Sequence, residues 1–484
     1  MTEKSVIVIG AGPAGLTAAW ELVKRGHRPI VLERYHTVGG IARTEEYKGY
    51  RFDIGGHRFF TKVHEVNDLW HTWMGPEFLR RPRLSRIFYD GKFFHYPLRA
   101  FNALANMGIV RSFAIVLSYI QFQIFPYPTE ENFEQWVTNR FGRQLYEIFF
   151  KTYTEKVWGI PCTEIRAEWA AQRIKGLSLP AAIKNALFKP RGEVIKTLIE
   201  EFEYPAHGPG MMWEYATRAV EGKGGEVRLG CDVVRVVRDG WRVTAVAVSN
   251  AGEEKTIPGD YVISSMPLAE LICKLDPPAP PGVIDAARRL SYRDFLTVVL
   301  IVNRPHLFED NWIYIHSPEV KVGRVQNFKN WSPHMVPDPN TSSLGLEYFC
   351  TEGDALWRMP DADLIDLGKR EAEQIGLARA ADAIDGVVVR QQKAYPVYDS
   401  EYAGHLETIR TFLAGFENLQ TVGRNGLHKY NNQDHSMLTA ILAVRNLDGE
   451  AHDLWQVNTE RSYHEEVRIP RRKVEEKPVD ILEA

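Results

Sequence analysis

Residues 5–33 read SVIVIGAGPAGLTAAWELVKRGHRPIVLE. The apolar run Val6–Ile9 has the composition of a parallel strand buried on both faces. It meets a glycine turn, Gly10-Ala11-Gly12-Pro13-Ala14-Gly15, and an Ala/Leu-rich helix follows. A second apolar run, Pro29–Leu32, ends in the acid Glu33. Each part has a physical task. Gly10 permits the tight turn, Gly12 lets a pyrophosphate approach bare backbone, and Gly15 lets the helix lie close to the strand. The first turn of the helix presents unpaired N–H groups to phosphate. Glu33 falls about 20 residues after the turn, where a carboxylate grips ribose hydroxyls. Ala14 and Arg34 flank this apparatus and are assigned with it. The order of strand, glycines, helix, strand and acid predicts an α/β chain with a Rossmann-like dinucleotide-binding domain.

The next stretch, RYHTVGGIARTEEYKGYRFDIGGHRFF (residues 34–60), carries more glycine turns. Gly39-Gly40 followed by Arg43 resembles the GG-x-x-R-[ST] element of FAD-dependent oxidoreductases. Gly40 and Arg43 then reach the pyrophosphate from the far side, and Gly55-Gly56 brings His57 against a flat ring. The cofactor expected is FAD. Residues 224–243 read as a strand pair, and the superfamily resemblance implies that Val233 meets the adenine through its backbone. Residues 259–267 and 418–426 read as two further strands of the cofactor domain, the last delivering Gly423 and Arg424 to the pyrophosphate. Residues 423–437, GRNGLHKYNNQDHSM, are polar and run into the apolar LTAILAV. A helix is expected to begin near Asn432–His435, its N-terminus aimed at the flavin. Asn432, Gln433, Asp434 and Ser436 are its candidate flavin contacts.

The whole chain has 484 residues, of which 44% are hydrophobic and 25% charged, as in ordinary globular proteins. Its net charge of −3 gives no reason to expect nucleic acid. The basic patches Arg80–Arg83 and Arg471–Lys473 read as solvated surface. The four cysteines are scattered, which disfavours a disulfide framework or a zinc site and suits reduced thiols in the cytoplasm. The N-terminus lacks a signal-peptide pattern. Residues 107–127 are the most apolar stretch, interrupted by Arg111 and two glutamines. They read as a buried helix of a substrate domain ahead of a membrane-surface segment, and no integral membrane segment is expected.

Between residues 132 and 176 the chain has helical periodicity dense in aromatics. Phe133, Trp136, Lys156-Val157-Trp158, Pro161, Trp169 and Arg173 resemble UDP-galactopyranose mutases, especially their eukaryotic-type branch. The GGHRFF loop, Tyr96-Pro97, the 311–333 stretch with Tyr314 and Arg324, KAYPVY with Tyr395, and KYNNQDHSM with Tyr430 extend this resemblance in pieces from residue 5 to about 450. It implies a nucleotide-sugar substrate, UDP-linked first of all, held by Arg173, Arg324, Tyr395 and Tyr430 at its diphosphate. Tyr96, Arg99, Trp158 and Tyr314 are further substrate contacts. It also implies a redox-neutral pyranose–furanose interconversion, active as FADH⁻, with reduced flavin N5 as nucleophile and His57, Arg173 and Arg324 as catalytic residues. NAD(P)H or another reductant is expected to recharge the flavin. The chain departs from the pattern at Leu98-Arg99 and at Thr154, both near the nucleotide end. Trp158 and Trp169 suit a plain core equally well.

A FAD-dependent oxidoreductase of the amine oxidase or protoporphyrinogen oxidase type is the alternative. A non-enzymatic relative of the GDP-dissociation inhibitors of Rab GTPases is disfavoured by the complete cofactor motif. The expected organisation is a discontinuous FAD domain (1–98, 190–282 and 415–455), a helical substrate domain (99–189), an antiparallel sheet domain (283–414) and a charged tail (456–484).

Overall fold

A computed structural model describes residues 3–96, 102, 106–167, 195–198, 200–250, 252–458 and 466–469. The opening motif folds as its residues dictate. Strand Ser5–Ile9 sits centrally in a five-stranded parallel sheet. Its order is 226–228, 28–32, 5–9, 261–264, 419–421. Helices Pro13–Lys24 and Gln433–Leu447 pack together on one face of this sheet. The close packing rests on glycine: a Cβ on Gly15 would lie 1.8 Å from the Gly10 carbonyl oxygen, and Gly10 itself has φ +97°. A smaller sheet, 232–239, 242–250 and 253–258, covers the other side.

The second large layer is a seven-stranded sheet in the order 383–396, 292–302, 342–350, 324–327, 312–315, 85–89, 92–95. Residues 85–95 were expected within the first cofactor segment. They pair instead with strand Trp312–Ile315, because Ser85–Phe88 lie parallel to it in register. The sheet's long strands Tyr292–Val302 and Ser342–Cys350 are buried almost throughout, which is why they read as unbroken apolar runs.

Helices Ile109–Ile124, Phe133–Phe141 and Thr152–Trp158, with a π-turn at Tyr146–Lys151, form the helical region. Asn132 caps the second helix by accepting the Gln135 N–H (3.0 Å). The expectation of a buried helix at 107–127 is corrected here. Only Ile115 and Ser118 of Ile109–Ile124 are buried, because just one edge packs on the neighbouring helices. No helix among the described residues is long and apolar enough to cross a membrane.

Lys156 ties the helical region to the sheet. Its Nζ donates to the carbonyls of Ser317 (2.7 Å), Val322 (3.2 Å) and Ile315 (3.4 Å). Burial pushes its pKa down to about 8. Lys156→Met would strip three carbonyls of their shared donor. We expect a loss of about 3 kcal/mol in folding stability, read from urea midpoints, with FAD content preserved.

Candidate active site

The cofactor cradle is built at the end of the parallel sheet. The Glu33 carboxylate accepts the N–H groups of Ala11 (2.7 Å) and Tyr35 (3.0 Å). A carboxylate has about four acceptor sites, so capacity for ribose hydroxyls remains. Gly12 and Gly40 oppose each other as bare backbone: a Cβ on Gly40 would stand 3.3 Å from the Gly12 Cα. The Gly39 N–H donates to the Ala11 carbonyl (2.8 Å), joining the two glycine turns. Arg43 reaches back to the Gly40 carbonyl and across to Gln391 Oε1, both at 2.9 Å. Arg34 pairs with Glu270 at 3.5 Å. Cys231 N–H donates to the Glu33 carbonyl, which brings Val233 alongside, but the Val233 carbonyl already accepts from Lys274 Nζ (2.6 Å). Ala14 and Gly423 nearly touch: a Cβ on Gly423 would lie 3.0 Å from that of Ala14.

The polar stretch of residues 423–437 does feed a buried helix. Asn432 is its N-cap, and its N–H donates to His435 Nδ1 (3.3 Å). Asp434 is buried and accepts from Thr61 Oγ1 (2.9 Å). Ser436 is buried within the first turns, and its carbonyl accepts from Thr439. Gln433 Oε1 and His57 Nδ1 are buried polar atoms without a protein hydrogen bond. Facing bare glycine backbones, an acid at the strand end and orphaned polar atoms beside a helix N-terminus fit an FAD.

The candidate substrate residues Tyr314 and Arg324 lie on the seven-stranded sheet. Tyr314 and Arg324 are directly paired on adjacent strands, and Arg324 is directly opposite Glu347 on the next. Arg324 donates from Nε (2.9 Å) and Nη2 (2.6 Å) to Glu347 Oε2. Gln326 holds the other Glu347 oxygen. A Cβ on Gly55 would lie 3.7 Å from Arg324 Nη2 and 3.9 Å from His57. The arginine therefore stands against the Gly55–His57 loop. Gly56 is wedged on the Trp331 ring, a Cβ there standing 3.3 Å away.

Tyr395 and Tyr430 stack at 5.6 Å and 15°. Trp158 packs beside both, at 6.3 and 6.4 Å. Tyr398, unassigned from sequence, accepts the Tyr430 N–H on its hydroxyl (2.6 Å). Arg424 stands 4.4 Å over the Tyr430 ring and donates to the carbonyls of Asn431 and Ala394, both at 2.9 Å. These two carbonyls hold its fork beside the tyrosines. Tyr96 meets Tyr314 at 5.0 Å. Arg99, Trp169 and Arg173 lie outside the described residues.

Three features escaped sequence reasoning. Glu347 sat unmarked in an apolar strand. Tyr153 stacks on His316 (4.7 Å, 8°) and meets Tyr314 edge-on (5.5 Å). The Arg80–Arg83 patch is not all solvated: Arg83 lies over Tyr96 (5.6 Å) and Trp312 (5.3 Å), opposite Arg58 on the same indole (5.2 Å). His428 is a buried residue whose Nε2 faces the Val397 carbonyl (3.4 Å).

The family model for flavin containing amine oxidoreductases matches residues 13–424. The chain belongs to this family. Its cofactor is FAD. Among curated relatives, an L-amino-acid oxidase of Gloydius blomhoffii is 25% identical over 345 residues, covering 64% of this chain and 61% of that protein. The chain thus matches less than two thirds of the length of these oxidases. A 1-hydroxycarotenoid 3,4-desaturase of Flavobacterium sp. (strain P99-3) is 34% identical over 99 residues, 19% of this chain and 20% of that one. The fold is that of a reduced UDP-galactopyranose mutase structure, with TM-score 0.82, 21% identity, and coverage of 95% of this chain and 97% of the other. A putative protoporphyrinogen oxidase from Exiguobacterium sp. 255-15 has TM-score 0.68 at 17% identity, covering 92% of this chain and 100% of that one.

In this flavoenzyme His57 cannot serve as a proton carrier near neutrality. Burial first, then the charges of Arg424 and Arg324, push its pKa down to about 3. Its unfolded value is near 6.5. A lowered histidine contributes stability fully above pH 6.5 and loses it as pH falls toward 3. We expect the His57 ring signal in NMR of histidine-labelled protein to stay that of neutral imidazole from pH 5 to 8. An inflection near pH 6.5 would contradict this.

Proposed function

We propose that the protein is a FAD-dependent nucleotide-sugar mutase interconverting pyranose and furanose forms, with a UDP-sugar as substrate. The observation that carries this reading is the Tyr395–Tyr430 stack flanked by Arg424, with the Arg324 charge, three strands away in the sheet, also acting on Tyr395. Two guanidinium groups and paired phenols suit an anionic group such as a diphosphate, and an apolar substrate or a simple amine without a carboxylate has no use for them. The near-complete match to the mutase fold supports the same reading.

When bound, reduced FAD supplies the nucleophile, so the protein needs no serine, cysteine or carboxylate for that role. Glu347 occupies the Nε/Nη2 edge of Arg324, leaving the Nη1 edge to a phosphate oxygen. Tyr395 and Tyr430 offer hydroxyl groups to the same leaving group. Arg173 completes the clamp and Arg99 meets the nucleotide end, as the resemblance implies. His57, neutral, orients and shields without moving a proton. NAD(P)H or another reductant recharges the cofactor, in the cytoplasm.

The test uses FAD-loaded protein, reduced anaerobically, with UDP-galactopyranose or UDP-galactofuranose and an oxidised-flavin control. Interconversion only with reduced flavin, and no net oxidation, is the expected result. Stoichiometric flavin reduction by an amino acid or other amine, without nucleotide-sugar binding, would replace the mutase with the oxidoreductase suggested by the L-amino-acid oxidase relatives. Arg324→Lys keeps the charge and loses the fork. We expect kcat/KM to fall about 100-fold with FAD content unchanged.

A further inference from the structure

The Ile109–Ile124 helix has two apolar sides. One is spent on its neighbours. Ile115 and Ser118 are buried, and Ser118 Oγ accepts the Gln144 N–H (3.2 Å). A Cβ on Gly142 would come within 2.7 Å of the Tyr119 backbone nitrogen, so backbone rests on backbone there. The helix is thereby fixed to the body of the protein. Its other side reads Val110, Phe113, Leu117, Ile120, Ile124, a spacing of three, four, three, four. This is the a/d seam of a two-stranded coiled coil.

All five seam residues are 45–83% exposed. Of the twelve large hydrophobic side chains exposed among the described residues, eight lie between 109 and 125. They form one surface and not a scatter. The eight together expose on the order of 800 Å², beyond the largest patch of a typical monomer. That is about what each partner contributes to a stable interface.

Charge selects the occupant. The residues beside the seam, Ile109, Ala114, Val116, Gln121 and Gln123, are uncharged, so two identical faces meet without repulsion. The single charge of the helix, Arg111, is paired with Asp90. A membrane-surface helix carries several basic residues on its polar face, which this helix lacks. The arginines of the adjoining helices, Arg140 and Arg143, are committed to Glu130, Glu134 and Glu147.

We propose that Ile109–Ile124 is a self-association face, pairing with the same helix of a second copy about a two-fold axis. Leu117 is at the middle of the seam and meets its own copy whether the two helices run parallel or antiparallel.

The test is light scattering on size-separated, FAD-loaded full-length protein at about 50 µM, a concentration far above the Kd of an interface of this size. The wild type is expected at twice the 55.3 kDa chain mass, and the double variant L117E/I120E at the chain mass with unchanged flavin spectrum and melting temperature. Independently, L117C in a C273S background, which removes the exposed thiol, is expected to cross-link to a dimer on mild oxidation. This arm stands even if the charged variant fails to fold. A monomeric wild type, or a dimer that survives L117E/I120E and does not cross-link through L117C, overturns the proposal. Flotation of monomeric wild type with phosphatidylcholine vesicles, lost in L117E/I120E, overturns it in favour of a lipid surface.

Discussion

Arg324 and Glu347 face each other on neighbouring strands, buried beside the Gly55–His57 loop. Two opposite charges buried this well are costly to take out of water, and each is tolerable only because the other is there. The pair explains much of what surrounds it. Gln326 saturates the second oxygen of Glu347, since an unpaired lone pair would be expensive at that depth. Gly55 comes up beside the guanidinium at φ +87°, a left-handed conformation that favours glycine. The pair is neutral as a unit, so Arg324 contributes geometry more than net charge. Arg424 is held differently, by the carbonyls of Asn431 and Ala394 and over the Tyr430 ring.

Cofactor and substrate groups come from distant parts of the chain. The glycine turns lie within the first sixty residues, the sheet residues in the middle, and the tyrosine–arginine group near the end. The last strand and the helix after it close the parallel sheet while delivering Arg424 and Tyr430. One connection thus serves fold and site together. Lys156 does the same for the helical region, where a single buried ammonium binds three sheet carbonyls and sets Trp158 beside the stacked tyrosines.

The cofactor half was legible because its physics is local. Gly10, Gly12, Gly15 and Glu33 act through turn geometry and backbone approach within one strand–helix–strand unit, so their spacing carries the message. Tyr395, Tyr430, Trp158 and Arg324 were singled out only through motif resemblance, since their own neighbourhoods do not distinguish them from core residues; the fold brings the first three together. Glu347, Tyr153 and the inward turn of Arg83 were not legible. Each depends on a partner far away in sequence: Arg324 across a strand pair, His316 across domains, Trp312 across a sheet.

The outward face of Ile109–Ile124 shows the same division. Its apolar character is plain in the sequence, but a helix that is apolar on both sides gives no sign of which side the protein keeps. The amino-acid sequence by itself determined a glycine-turn cofactor domain and an aromatic helical region, because period and steric bulk are properties of neighbouring residues. Only the tertiary structure decided which charges face each other and which apolar stripe meets solvent, because burial and pairing are set by whichever distant segments come to rest against them.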